Sequence, residues 1–113
     1  MNKDFFEHLY DAIPEGKENA ISLKDLSSVL GLEKRETKAQ VLKARENGYM
    51  ICSLASEQVG YFKPANMEEA IRCYLMFASR ADTSQLVADG MKRFLIENGF
   101  NPDQPIRKKE EGE

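Results

Sequence analysis

Apolar residues recur at helical spacing over most of this chain, and one strand-like segment interrupts them. Five apolar positions predict an amphipathic first helix over residues 3–12: Phe5, Phe6, Leu9, Tyr10 and Ile13. Pro14 and Gly16 end this helix. Two further helices, over about 22–31 and 33–47, follow a polar loop.

The second helix carries start and stop signals. Ser22 can accept a hydrogen bond from a backbone N–H three residues on, and Gly31 can adopt the left-handed conformation that ends a helix. The predicted inward stripe is Leu26, Val29 and Leu30, and Leu32 is expected to fill the angle between the second and third helices.

The third helix divides into two faces when its residues are placed 100° apart. One face holds Thr37, Gln40, Val41 and Ala44. The opposite face holds Arg35, Lys38, Ala39, Leu42 and Lys43. The pattern therefore predicts an inner face and a basic outer face.

A β-hairpin is predicted next, from strand-forming segments at 49–54 and 59–63 that flank a polar tip at 55–58. A very short strand at 19–21 is expected to pair with this hairpin.

The remaining chain is predicted to be helical up to about residue 99. Asn66 is an N-cap, and Glu69 completes a capping box. The expected apolar side of this helix is Met67, Ile71, Tyr74, Leu75 and Ala78. A second helical stretch covers 83–98, and periodicity leaves open whether the two stretches are one helix. The polar tail 100–113 is predicted to be disordered.

This order of elements predicts an α+β, mainly α fold: a winged helix-turn-helix with a three-helix core, a β-hairpin wing and a C-terminal helical extension. The predicted divisions are a winged helix-turn-helix domain at 1–65, a helical extension for packing or dimerisation at 66–99, and a disordered tail at 100–113.

Composition indicates one modest globular domain. The chain has 113 residues, of which 42% are hydrophobic, and we expect it to be cytoplasmic, without a membrane span or secretion signal. Cys52 and Cys73 lack metal-ligand spacing, so we interpret them as small buried residues in a reducing compartment and expect no metal.

Positive charge is concentrated on the helix-turn-helix segment. The net charge is −3, yet residues 20–48 hold six Lys or Arg against four acids, whereas residues 1–19 hold two Lys against five acids. A local basic patch matters more for nucleic-acid binding than the overall sum.

The third helix has the side chains that major-groove readout requires. Arg35 and Lys38 are predicted to contact bases, and the small Ala39 permits close approach to the groove floor. Lys34, Lys43 and Arg45 are predicted phosphate contacts. Leu42, on the same face, is expected either to touch a thymine methyl group or to pack beneath the first helix or a partner subunit, and packing is the favoured alternative.

The hairpin supports DNA binding less well. Its tip, residues 55–58, contains no basic residue, and Glu57 would be repelled by phosphate. Lys63, at the base of the hairpin, is the only basic residue of this element that is placed to favour DNA binding.

An enzyme is not indicated, because His8 is the only histidine and no phosphate-binding glycine loop is present. We expect no cofactor and no small-molecule substrate. The alternative to DNA binding is a winged-helix protein–protein interaction module, an adaptor of replication or transcription machinery. The apolar C-terminal helices either pack on the first helix or form a homodimer, and the dimer is favoured.

Residues 10–80 resemble small winged-helix proteins of phages and prophages of Gram-positive bacteria. The likeness rests on IPEGKENAIS, DLSSVLGLEKRETKAQVLKARENGYMIC, GYFKP and EEAIRCYLMFASRA, in that order. The resemblance implies double-stranded DNA binding in phage transcription regulation or replication. Glu33 departs from the family pattern, in which a Ser or Thr often caps the third helix.

Overall fold

The computed structural model describes residues 2–53 and 60–100, without the side chains of residues 2 and 3. Within these ranges the fold is α+β and mainly helical, with five α-helices and a two-stranded antiparallel hairpin. The helices are α1 (Asn2–Asp11), α2 (Leu23–Leu30), α3 (Lys34–Glu46), α4 (Met67–Ala78) and α5 (Gln85–Glu97). The strands are β1 (Cys52–Ser53) and β2 (Tyr61–Phe62).

Helix α2 begins and ends where its cap residues predict. The Ser22 hydroxyl accepts a hydrogen bond from the Asp25 amide at 3.0 Å, and Gly31 ends the helix with a φ of 71°. The backbone N–H of Leu32 then donates to the Ser27 carbonyl at 3.0 Å, which closes the turn that leads into α3.

The inward stripe of α2 differs from the predicted one. Leu23, Leu26 and Ser27 are buried, whereas Val29 is 60% exposed. The prediction for Val29 is wrong, because α3 packs on the side of α2 that includes Ser27 and turns Val29 toward solvent.

Residues 54–59, which include the hairpin tip at 55–58, lie outside the described residues. On the described side, β1 begins at Cys52, so residues 49–51 are not strand as predicted. Cys52 pairs with Phe62 and Ser53 with Tyr61. Tyr61 also bonds Ile21 on its other side, through two backbone hydrogen bonds of 2.8 Å. The predicted pairing of the 19–21 segment with the hairpin is confirmed at Ile21 alone, because Asn19 ends a short 3-10 helix, Lys17–Asn19. This pairing places β2 between β1 and Ile21.

The C-terminal region contains two separate helices. Asn66 caps α4 by accepting from the Glu69 amide at 2.9 Å, as predicted. Ser84 caps α5 by accepting from the Val87 amide at 3.2 Å. A turn at residues 79–84 separates the helices, which settles the question that periodicity left open.

Helix α4 does not bury the apolar stripe that its sequence predicts. The buried residues are Ala70, Cys73 and Phe77. Leu75, from the predicted stripe, is 55% exposed, and Tyr74 is only half-buried. Met67, Ile71 and Tyr74 pack against the edge of the core, so the prediction is wrong for Leu75 and for the exposed Ala78. The helix is rotated so that Ala70, Cys73 and Phe77 face the core instead.

Two groups of buried residues form the core. The first joins α1, α2, α3 and the sheet, and contains Phe6, Leu9, Ile13, Leu23, Leu26, Val41, Ala44, Ile51 and Tyr61. The second joins the hairpin to α4 and α5, and contains Met50, Cys52, Phe62, Ala70, Cys73, Phe77, Val87, Met91 and Leu95. Residues 66–99 thus share a core with the hairpin, and α5 also packs on α3. The tail, apart from Phe100, lies outside the described residues.

Candidate nucleic-acid interface

Helix α3 is held by contacts along one side. Helices α1, α2 and α5 all pack against it, and its residues Thr37, Val41, Ala44 and Arg45 are buried. A helix fixed in this way presents its remaining surface in a defined orientation, which is a requirement for reading a groove.

A hydroxyl pair joins α2 to α3 close to the turn. The Ser27 hydroxyl donates to the Thr37 hydroxyl at 2.8 Å, and the Thr37 hydroxyl donates in turn to the Glu33 carbonyl at 2.9 Å. Glu33 is the N-cap residue of α3 and makes no capping hydrogen bond with its side chain. The buried Thr37 therefore helps to fix the beginning of α3 from inside.

The outer face of α3 is exposed where the sequence places it. Five of the six predicted DNA-contacting residues are exposed: Lys34, Arg35, Lys38, Ala39 and Lys43. We refer to these five residues as the basic face. Glu36, which accepts a hydrogen bond from Gln40 at 2.8 Å, lies at its edge and lowers the local excess of positive charge.

Arg45 is a correction to the predicted set. It is 3% exposed, and its Nε donates to the Ile51 carbonyl at 2.8 Å. Its guanidinium carbon lies 4.6 Å from the centre of the Phe77 ring and 5.9 Å from that of Tyr61. A guanidinium enclosed between rings does not reach a phosphate, so Arg45 links the end of α3 to the hairpin and α4 instead.

Leu42 lies on the outer side of α3 and is 46% exposed. It borders a groove of about 220 Å³ together with Phe77, Val87 and the turn between α4 and α5. The structure thus places Leu42 beside the C-terminal helices rather than beneath α1.

Gly90 is an important residue that sequence reasoning missed. A Cβ atom at this position would lie 2.1 Å from the Arg45 carbonyl oxygen and 3.2 Å from the Gly48 nitrogen, so the backbones of α5 and α3 nearly touch here. Beside this contact, Arg93 donates to the Glu46 carbonyl at 3.3 Å. A glycine inside a helical pattern is the signal that could have revealed this approach.

Lys63 lies at the base of the hairpin, as expected, and is half-buried. Its ammonium nitrogen is 4.9 Å from the centre of the Tyr10 ring. Its backbone N–H donates to the Pro14 carbonyl at 2.7 Å, and its carbonyl accepts from the Gly16 amide at 2.8 Å. Lys63 thus joins the hairpin to the end of α1, and the side-chain position limits its reach toward a ligand on α3.

Residues 2–53 and 60–100 contain no cluster of three or more His, Cys, Asp or Glu side chains that is arranged to hold a metal ion. No helix there combines the length and the apolar character needed to cross a membrane.

The basic face of α3 is thus the main cluster of exposed cationic side chains that the described fold holds on one rigid element.

Comparison of the chain with protein-family models, curated proteins and solved structures finds no match.

Proposed function

We propose that this protein is a winged helix-turn-helix protein that binds double-stranded DNA by inserting α3 into the major groove. The observation that carries the proposal is the basic face: five neighbouring residues of α3 exposed on a helix whose opposite side is fixed in the core. The order α1, Ile21 segment, α2, α3, hairpin supports the winged-helix assignment, since Ile21 pairs with Tyr61 of β2 through an isolated β-bridge.

Within the basic face, residue chemistry suggests a division of roles. Arg35 can donate two parallel hydrogen bonds to a guanine edge, and Lys38 lies one turn further on the same side. Lys34 and Lys43 act as point charges toward phosphates. Ala39 keeps the surface between them low, so the helix can approach the base edges.

The proposed context is transcription regulation or replication in a phage or prophage. This part rests on the resemblance of residues 10–80 to winged-helix proteins of Gram-positive phages. The small charge excess of the basic face, with Glu36 at its edge, implies modest affinity that decreases with added salt.

Electrophoretic shift assays with random-sequence duplexes at low salt test the proposal. We expect binding that weakens steeply with salt, and Arg35→Ala and Lys38→Ala should each reduce affinity while leaving the melting temperature unchanged. Arg72→Ala is the matched control, because Arg72 is an exposed arginine on α4 paired with Glu68 at 2.7 Å. Equal affinities for Arg35→Ala, Lys38→Ala and Arg72→Ala would exclude α3 as the reading element.

Selection from randomised duplexes then tests sequence preference and symmetry. We propose that the protein acts as a homodimer through α4 and α5, on which Leu75, Leu86 and Ile96 are each more than half exposed. A palindromic selected site would fit two α3 helices related by a two-fold axis. Sedimentation of the free protein as a monomer at all concentrations, together with an asymmetric site, would exclude the dimer.

The same exposed apolar residues favour the second candidate function, a protein–protein interaction module without direct DNA binding. Under this alternative α4 and α5 dock on a component of replication or transcription machinery. The absence of any duplex binding at low salt, combined with a folded chain, is the result that would favour it.

A further inference from the structure

A second feature of the fold lies away from the basic face, between β1 and α4. Cys52, on β1, and Cys73, on α4, are far apart in sequence, but the contact of β1 with α4 brings both into one buried group of side chains, and both line one cavity. Both cysteines are reduced and buried. Their spacing in the sequence gives no hint of this contact.

The two thiols are accessible through a cavity of about 260 Å³ that is partly open to solvent. Met76 lines the same cavity and follows Cys73 by one helical turn on α4. Residues three apart in a helix share a face, so two thiols and one thioether border a single space. Thiolate and thioether sulfur are the ligands that select soft cations such as Cu(I).

The charges around the cavity suit an anionic sulfur complex. Two thiolates around a monovalent cation carry a net charge of −1. Lys17 and Arg72 line the cavity, so two cationic side chains lie beside such a complex. Glu69 also lines the cavity, and its Oε1 accepts a hydrogen bond from the Ala65 amide at 2.9 Å.

We propose that Cys52, Cys73 and Met76 form a binding site for a soft monovalent cation of the Cu(I) class. Binding replaces the two thiol protons, which pass to water, and forms two metal–thiolate bonds and one metal–thioether bond. No oxidation state changes in this step. Because the ligands must lose their protons, binding of the cation releases protons and depends on pH.

Competition with a coloured Cu(I) chelator tests the site. The reduced full chain is titrated without oxygen into the Cu(I)–bicinchoninate complex, and the decrease in colour reports the Cu(I) that the protein takes. We expect one Cu(I) per chain. Loss of a group that only supports a metal ligand weakens metal binding by up to about 100-fold. Cys52→Ala and Cys73→Ala each remove a proposed ligand, so each should weaken Cu(I) binding by more than about 100-fold.

Met76→Leu and Met67→Leu form the matched pair, since both methionines lie on α4 and only Met76 lines the cavity. Met76→Leu should weaken Cu(I) binding by about 10-fold, and Met67→Leu should leave it unchanged. Equal affinities in these two variants, or wild-type affinity in either cysteine variant, would overturn the proposal.

X-ray absorption of the wild-type protein loaded with Cu(I) gives a readout that does not depend on how the variants fold. Three sulfur neighbours and one chain per copper are expected. A shell dominated by nitrogen or oxygen, or one copper shared by two chains, would overturn the three-sulfur site.

Discussion

Ser27 on α2 and Thr37 on α3 are joined by a buried hydrogen bond of 2.8 Å between their hydroxyls. This pair is a buried polar contact between side chains of the two helices. Its position near the Gly31 turn makes it a determinant of the angle between α2 and α3.

Removal of one hydroxyl from this pair should be costly. We expect Thr37→Val to lower the free energy of unfolding by about 1–3 kcal/mol, because the buried Ser27 hydroxyl loses its acceptor. The double variant Ser27→Ala/Thr37→Val should lose less than the sum of the single variants, which chemical denaturation can measure. Ser28→Ala, at an exposed neighbour, is the control. A Thr37→Val protein as stable as that control would show that the pair contributes nothing.

Gly90→Ala tests the contact between α5 and α3. Alanine favours a helix by up to about 1 kcal/mol over glycine, but its Cβ would lie 2.1 Å from the Arg45 carbonyl oxygen. We therefore expect a net loss of stability of about 1–3 kcal/mol, measured by thermal or chemical unfolding. Glu97→Ala, at an exposed position of α5, should change stability little. A stabilised Gly90→Ala protein would mean that α5 does not lie this close to α3.

Arg45→Met tests whether Arg45 belongs to the fold. Methionine keeps much of the length but loses the hydrogen bond to the Ile51 carbonyl, so the free energy of unfolding should fall by about 1.5–3 kcal/mol. Lys43→Met, at an exposed neighbour, should stay within about 0.5 kcal/mol of the wild type. Equal stabilities of the two variants would contradict the buried position of Arg45.

Tyr10 should make the protein sensitive to alkali. Burial, followed by the charges of neighbouring groups, raises the pKa of Tyr10 above its ordinary value. Its stabilising contribution is complete below about pH 10, where the unfolded chain begins to lose this proton, and declines as pH rises further. Denaturation at pH 9 to 11 should show a smaller decline for Tyr10→Phe than for the wild type. Tyr74→Phe, at another half-buried tyrosine, is the comparison, and the same decline in both variants would contradict the role of Tyr10.

Local signals in the sequence predict much of this fold. Ser22, Gly31 and Asn66 mark helix ends through hydrogen bonds and backbone conformations that depend on neighbouring residues alone. The two faces of α3 follow from periodicity, because α3 is packed along one side and open along the other. The five residues of the basic face are therefore predictable from spacing, whereas the burial of Arg45 is not.

The remaining features depend on contacts between segments far apart in sequence. Periodicity places Arg45 at the border of the outer face of α3. This border is buried only because Phe77 and α5 pack against it in the complete fold. The buried side of α4 is set by the close approach of β1 to Cys73. The contact between Cys52 and Cys73 likewise requires the complete fold, so neither residue spacing nor hydropathy indicates it.

The division of α3 into an anchored and an open side has an evolutionary consequence. Arg35, Lys38 and Lys43 are exposed, so substitutions there leave the residues that hold the fold together undisturbed. Under the proposed function, single changes on this surface would give descendants of the protein new binding preferences, while Thr37, Val41 and Ala44 stay under constraint.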